Sequence, residues 1–342
     1  MPKALVAMSG GVDSAASALL MKQKGYDVCG VTLILDSNFD DAQGAGVIAD
    51  KLGIQHYCID ASASFKSGVI DRFISEYCAG RTPNPCIDCN KNIKFGVLYD
   101  EMLAKGFDIL ATGHYARIIW DAEYDEPRLC TAAYAEKDQS YVLYSVDREK
   151  FRNVAFPLGE KTKDEVRAIA KTAGFENHAK PESQDICFIK DGDYASFVAE
   201  NGSDGTSAGD FCDRQGNVLG RHKGLINYTV GQRRGLGIPS TESYYVLEKR
   251  HCDNTVVLGY KNELMTSFFA VKCINVLCPS LFSEDKKYTV RTRYHQKETP
   301  CSIQIDHNTV KVYTDTDIRI PAPGQSAVLY YGDIVVAGGI IF

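Results

Sequence analysis

Nowhere in its 342 residues does this chain hold the roughly 18 consecutive apolar residues that a membrane-spanning helix needs. Its first apolar run, Ala4 to Met8, is too short for a secretory leader. A cytoplasmic location and no membrane partner are therefore expected. A basic excess is missing too: 38 Lys and Arg face 44 Asp and Glu, for a formal charge of −6. That counts weakly against a nucleic-acid binder but does not exclude one, because local patches decide phosphate contact. There is no internal repeat and no low-complexity tract. No Gly-Lys-Ser/Thr follows the Gly pair at 10–11, which excludes a Walker A box. What remains is ordinary globular composition, 44% hydrophobic and 24% charged, at a length that suggests two or three domains.

The Gly pair lies in Ser9-Gly10-Gly11-Val12-Asp13-Ser14, between the apolar run Ala4 to Met8 and a helix-like stretch from Ala15 to Lys24. A strand that breaks at two glycines and restarts as a helix forms a phosphate cradle. The glycines take backbone angles closed to other residues. Loop and first-turn N–H groups then converge at the positive end of the helix dipole. Ser9 and Ser14 add hydroxyls, and Asp13 is placed to cap the helix or to position a magnesium ion. An ordinary strand–turn–helix junction would need only the glycines. The full hexapeptide resembles the PP-loop of the N-type ATP pyrophosphatases, which implies ATP with Mg2+.

Short strand candidates at 4–8, 28–35, 55–59 and 109–112 alternate with helix candidates at 14–24, 41–52, 64–78 and 91–105. That alternation predicts βαβ units and a Rossmann-like parallel sheet. Ligands of such sheets sit beyond the strands' carboxyl ends, so loops 9–14, around 36 and 112–115 should share one rim. A hairpin at 115–120 and 128–133 and helices at 162–173 and 194–200 follow. Small polar residues cluster at 201–205, and strand-like segments dominate afterwards. The expected domains are 1–204, the PP-loop catalytic domain; 205–264, a small β domain; and 265–342, a C-terminal β-barrel.

Twelve cysteines are many for a protein expected inside the cell. Cys29, Cys58, Cys273 and Cys301 sit in apolar or alternating runs and read as buried small hydrophobes. Cys86 and Cys89 differ. They form a C-x-x-C pair in Arg81-Thr82-Pro83-Asn84-Pro85-Cys86-Ile87-Asp88-Cys89-Asn90, read as a rigid loop because of its two prolines. Two thiolates at that spacing can meet one metal or form a disulfide. Cys187, at the edge of a second loop, could complete a three-cysteine site for a 4Fe-4S cluster with one open iron. Zinc would want a fourth ligand, and none sits at a telling spacing. Three unrelated thiols is the plain alternative.

Taken together, the motifs resemble the bacterial-type tRNA-specific 2-thiouridylases nearly end to end. They include Asn84-Pro85, Cys89-Asn90-Lys91, Ile93-Lys94-Phe95, Ala111-Thr112-Gly113-His114-Tyr115, Lys137-Asp138-Gln139-Ser140-Tyr141 and Asp185-Ile186-Cys187-Phe188. Gly231-Gln232-Arg233-Arg234-Gly235, Thr292-Arg293-Tyr294 and Pro323-Gly324-Gln325 continue the series. The resemblance implies thiolation of the wobble uridine of tRNA at C2, after adenylation of the C2 oxygen, with AMP and pyrophosphate released. It implies catalytic roles for Cys89, Cys187 and Asp13. It implies ATP contacts from Ala7, Met8, Ser9, Gly10, Gly11, Val12, Asp13, Ser14, Leu33 and Gly113. Implied tRNA contacts are Asn84, Pro85, Cys86, His114, Lys137, Asp138, Gln139, Arg293, Tyr294 and Gln325. Many members carry Asp where this chain has Cys86. That departure points to Cys86, Cys89 and Cys187 as cluster ligands, against the simpler route by cysteine persulfide and disulfide with no cluster. A sulfur donor, either sulfide or a persulfide relay protein, is an implied partner. Basic points at Arg221, His222, Lys223, Arg233 and Arg234, and at Lys287, Arg291 and Arg293 along one strand candidate, would clamp RNA. Two rivals stay open: an amide-forming PP-loop ligase, and a non-enzymatic iron–sulfur or zinc protein that binds tRNA.

Overall fold

The computed structural model describes residues 1–35, 40–176, 186–189, 192–202 and 204–342. The expected rim loop around residue 36 lies mostly outside them. Strands β1 (Lys3–Ala7), β2 (Asp27–Ile34), β3 (Gln55–Asp60) and β4 (Ile109–Ala111) form the expected parallel sheet. After the hairpin β5 (Ala116–Asp121) and β6 (Glu126–Thr131), a two-residue strand β7 (Val154–Ala155) adds a fifth member. The order is β3-β2-β1-β4-β7, every pairing parallel. β1 is therefore a topological switch point: one neighbour leads toward β3 and the other toward β7. The crevice beyond β1 and β4 is where such sheets take ligands. Leu5, Val6, Leu110 and Ala111 are fully buried, as a parallel sheet covered on both faces requires.

A second, four-stranded sheet of order β10-β11-β8-β9 holds β8 (Gly209–Cys212), β9 (Val218–His222), β10 (Tyr245–Arg250) and β11 (Thr255–Gly259). The last unit is β12 (Met265–Val276), β13 (Tyr288–Arg291), β14 (Thr299–Asp306), β15 (Thr309–Arg319), β16 (Ser326–Tyr331) and β17 (Ile334–Ile341). Pairing of β12 with both β15 and β17 closes these six into an antiparallel barrel. Its interior is apolar, with Val271, Val290, Val312 and Val336 at 2% exposure or less.

One hairpin crosses the linear partition. β5–β6, inside the expected catalytic segment, joins the barrel's sheet where Cys130 faces Ile334 of β17. The barrel is thus continuous with the segment that leaves β4 at the phosphate rim. Four cysteines read as buried divide evenly. Cys29 and Cys301 are buried, while Cys58 on edge strand β3 and Cys273 are exposed. Cys273 has φ 54°, within an irregular stretch of β12's pairing with β17.

Where the first and second units meet, Lys249 on β10 donates to the Tyr228 carbonyl at 2.7 Å and lies over the Tyr77 ring. Desolvation lowers its pKa from the ordinary lysine value to about 7. A depressed lysine pKa means the fold prefers the neutral amine. This group's contribution is thus most favourable above about pH 10.4 and declines as pH falls toward 7. Lys249→Met should gain on wild type by on the order of 3 kcal/mol between pH 10 and pH 7. Urea midpoints of both proteins across that range check it, and parallel curves would refute the assignment.

Candidate active site

The phosphate loop is built as its sequence dictates. Gly10 has φ 70°, in the left-handed region that glycine tolerates. Gly11 is the extended N-cap of helix Val12–Gln23. Ser14 Oγ accepts from the Ser9 amide at 3.2 Å and donates to the Gly11 carbonyl at 2.9 Å, so the loop is closed by its own hydroxyl. The Met8 carbonyl accepts from Thr32 Oγ1 at 2.7 Å, which ties the loop's entry to β2.

Asp13 does not cap that helix. Both its carboxylate oxygens accept from Lys163 Nζ at 2.8 Å, and Oδ1 also accepts from the Tyr115 hydroxyl at 2.8 Å. Lys163 starts helix Lys163–Thr172, whose N-cap Thr162 forms a capping box with Glu165. Sequence reading missed Lys163, a charged residue 150 positions from its partner. The capping box announces the helix but not where its first lysine points.

Gly113 follows β4 and packs on this loop. A Cβ there would lie 3.1 Å from the Asp13 carbonyl carbon and 3.2 Å from the Ser14 nitrogen. Loops 9–14 and 112–115 therefore share the rim, as their places after parallel strands require. Leu33 is half-buried near the end of β2, among partners that include Phe65 and Val69.

The thiol pair departs from expectation. Asn84 and Pro85 do not stiffen a loop but start a helix, Pro85–Cys89. Asn84 Oδ1 accepts from the Cys86 amide at 3.1 Å, and Pro85 stands at the first helical position. A π-helical stretch, Asn90–Val97, continues it. π-turns bring positions five apart onto one side, as Cys89 and Lys94 are. Surrounding protein atoms desolvate the thiols of Cys86, Cys89 and Cys187 and raise their pKa values, that of Cys187 to about 11, although Cys86 and Cys187 keep exposed surface and Cys89 is half-buried; Lys94 pulls each of them down. Lys94 Nζ lies 3.5 Å from His114 Nε2, so the cation that all three thiols feel touches the residue after Gly113.

Cys187 is itself exposed, beside the half-buried Ile186 and Phe188. Phe188 packs edge-on against Phe65 and Phe73, and Ile189 is buried. The three cysteines do not converge as cluster ligands. Among the described residues no group of three or more His, Cys, Asp or Glu side chains could hold a metal ion. The placed donors thus give no support for a 4Fe-4S cluster at these thiols.

Several expected RNA contacts are interior. His114 is buried between Phe95 and Phe156, bonded to Thr112 Oγ1 at 2.7 Å, with its pKa held well below the ordinary value by desolvation. Asp138 is buried and accepts from the Ala132 and Ser140 amides at 2.9 and 3.1 Å. Arg291 is no surface cation either. It bonds Asp138 at 2.5 Å and Glu298 at 2.7 Å and lies over the Tyr330 ring. β13 ends at Arg291, so the expected row Lys287, Arg291, Arg293 is not a common face. His222 is buried as well, bonded to the Asn254 carbonyl. Exposed cations remain at Arg221, Lys223, Arg233, Arg234, Lys287 and Arg293. Lys137 and Gln139, on either side of the buried Asp138 in sequence, are partly exposed, and Gln325 Nε2 donates to the Thr82 carbonyl at 3.0 Å, fastening the barrel to the segment before Asn84. Arg291→Ala strands the buried Asp138 and should destabilise by about 3 kcal/mol, read as a lower urea midpoint. A loss below about 1 kcal/mol would mark the pair as peripheral.

The fold is that of a HUP-type α/β domain with a phosphate-loop turn at the carboxyl edge of its parallel sheet and β domains appended. Family profiles agree in order: the tRNA methyl transferase HUP domain matches residues 2–191, its PRC-barrel domain 196–260, and the aminomethyltransferase beta-barrel domain 266–341. The chain is 41% identical to the tRNA-specific 2-thiouridylase MnmA of Clostridioides difficile, covering 99% of this chain and 98% of that one. It is 42% identical to the protein of that name from Treponema denticola, covering 99% and 97%. The one from Acetivibrio thermocellus is 40% identical, covering 99% of each. The chain belongs to the tRNA-specific 2-thiouridylase family.

Proposed function

We propose that this chain is a tRNA-uridine 2-sulfurtransferase that uses ATP to replace the C2 oxygen of the wobble uridine by sulfur. One observation carries the reading. Lys94, the cation acting on all three thiols, touches His114, and the adjoining Gly113 packs on Asp13 and Ser14 of the phosphate loop. That adjacency supports placing nucleotide chemistry beside sulfur chemistry.

The C2 oxygen of uridine leaves badly, and adenylation makes it a good leaving group. The amides of Gly10 and Gly11 and the start of helix Val12–Gln23 would stabilise phosphate charge as pyrophosphate departs. Mg2+, when bound with ATP, would neutralise phosphate charge, and Asp13 and Ser14 offer the oxygens that suit it. The base must leave its stack to reach the rim. Sulfur follows the persulfide route. The terminal sulfur of a persulfide on Cys187 attacks C2, the C2–O bond breaks, and AMP leaves. Cys89 thiolate then attacks the Cys187 sulfur, releasing 2-thiouridine and forming a Cys89–Cys187 disulfide. A thiol reductant must reopen that disulfide, and a persulfide donor must recharge Cys187. Cys86 has no step of its own.

The exposed Arg233, Arg234 and Arg293, with Lys137 and Gln139, are the proposed tRNA contacts, and the described residues include no helix long and apolar enough to cross a membrane. The test is direct. Protein, ATP, Mg2+, a persulfide donor, a thiol reductant and unmodified tRNA transcript should yield AMP, pyrophosphate and 2-thiouridine by nucleoside mass spectrometry. AMP release without RNA thiolation would favour the ligase rival.

A further inference from the structure

A continuous set of contacts runs from the barrel to the phosphate loop. Tyr294, half-buried beside the exposed Arg293, stands near enough to the partly exposed Gln139 for that side chain to act on its hydroxyl. Gln139 Oε1 accepts from the Tyr115 amide at 3.0 Å, and the Gln139 amide donates to the Tyr115 carbonyl at 2.8 Å. Gln139 thus grips the Tyr115 backbone from both sides. The Tyr115 hydroxyl, at the other end of a side chain only 3% exposed, donates to Asp13 Oδ1 at 2.8 Å. Asp13 is the residue of the phosphate loop held by Lys163.

Asp13 and Lys163 have opposite preferences for a triphosphate. The carboxylate repels it and the ammonium attracts it. While paired, each cancels the other's field at the loop. A nucleotide that drew Lys163 toward its phosphates would free Asp13 to turn toward the accompanying cation. Two arrangements of one carboxylate follow, paired with Lys163 or released from it. The Tyr115 hydroxyl, fixed to Oδ1, weights the choice between them. Tyr115 is in turn clamped by Gln139, whose side chain meets Tyr294 on the RNA side. A bistable group that both ligands bias is what coupling between sites requires.

We propose that Tyr115 is a positioning residue that transmits tRNA seated against Tyr294 and Gln139 to the Asp13 carboxylate, so that tRNA and nucleotide bind with positive linkage. This rests on ATP and tRNA being the substrates, as proposed above. Such linkage would favour activation of ATP in chains that hold RNA. Linkage is reciprocal: each ligand raises the other's affinity by the same factor.

The test uses the full chain and no turnover. A non-hydrolysable ATP analogue with Mg2+ is titrated calorimetrically, without tRNA and with saturating unmodified transcript. Wild type should bind the analogue at least about fivefold more tightly with tRNA present. Tyr115→Phe removes one hydroxyl and no packing. It should reduce that factor below about twofold, while its tRNA affinity without nucleotide and its melting temperature stay near wild type. An undiminished factor in Tyr115→Phe overturns the proposal. So does a wild type that binds each ligand but shows no linkage, or a variant that loses tRNA affinity and melting temperature together. Failure of wild type to bind tRNA or analogue at all overturns the substrate reading itself, and the relay with it.

Discussion

Replacing either Cys89 or Cys187 by Ala should abolish tRNA thiolation, by at least about a thousandfold, because each removes a bond-forming sulfur rather than a neighbour. The two losses should differ in kind. Cys187→Ala leaves nowhere to carry a persulfide, so no labelled sulfur from the donor should remain on the protein. Cys89→Ala keeps the carrier but not the resolving thiol. With limiting tRNA it should stall as a disulfide between Cys187 and the thiolated base, visible as an RNA–protein adduct that a reductant releases. Pyrophosphate release should persist for about one turnover in both, since the phosphate loop is untouched. Cys86→Ala is the sensitive control. It should keep activity within severalfold, because no step of the persulfide route uses it and the three thiols are not arranged as metal ligands among the described residues. Loss of activity in Cys86→Ala, together with iron and labile sulfide on anaerobically prepared wild type, would sink the persulfide route.

The parallel sheet, the phosphate loop and the barrel were legible because each rests on a local pattern. Apolar runs broken by Gly marked β1 and the loop, and alternation marked the strands after 265. What stayed hidden depends on distant partners. β7 has two residues and no pattern of its own. The hairpin β5–β6 was readable as a hairpin, but its union with the barrel is set by pairing 204 positions away, Cys130 with Ile334. Charged residues mislead most. Arg291 and Asp138 look like surface groups in a sequence, yet they neutralise each other in the interior, a pairing that only the fold brings about. Lys163 is the converse, a cation that local reading assigns to a helix face and the fold delivers to the phosphate loop. Asn84-Pro85 was misread, although the signal was present. An Asn cap before Pro is a helix start, and two prolines obscured it.

Gly113→Val should reduce kcat/KM for ATP by about a hundredfold or more while leaving the chain folded. Gly113 is not at positive φ, so valine meets no backbone strain there. The conflict is steric and directed. Even the first added carbon would sit 3.1 Å from the Asp13 carbonyl carbon and 3.2 Å from Asp13 Cβ and the Ser14 nitrogen. Two of those three atoms belong to backbone, which cannot rotate away, and the branched methyls extend further into the same space. The side that yields must be the turn at 10–14, because Gly113 leaves the buried β4 and is flanked by Thr112 and His114, both buried and bonded to each other. Displacing that turn by a few tenths of an ångström to an ångström moves the amides meant to meet phosphate and disturbs Asp13 between Lys163 and Tyr115. Binding of tRNA alone should be little changed, since the exposed cations lie on other segments. Alkylation rates of Cys187 should likewise stay near wild type, which separates a fault in the phosphate loop from general collapse of the rim. A Gly113→Val protein with near-normal ATP kinetics would mean that the nucleotide does not depend on this contact, and the triphosphate would have to be placed elsewhere along the carboxyl edge of the sheet.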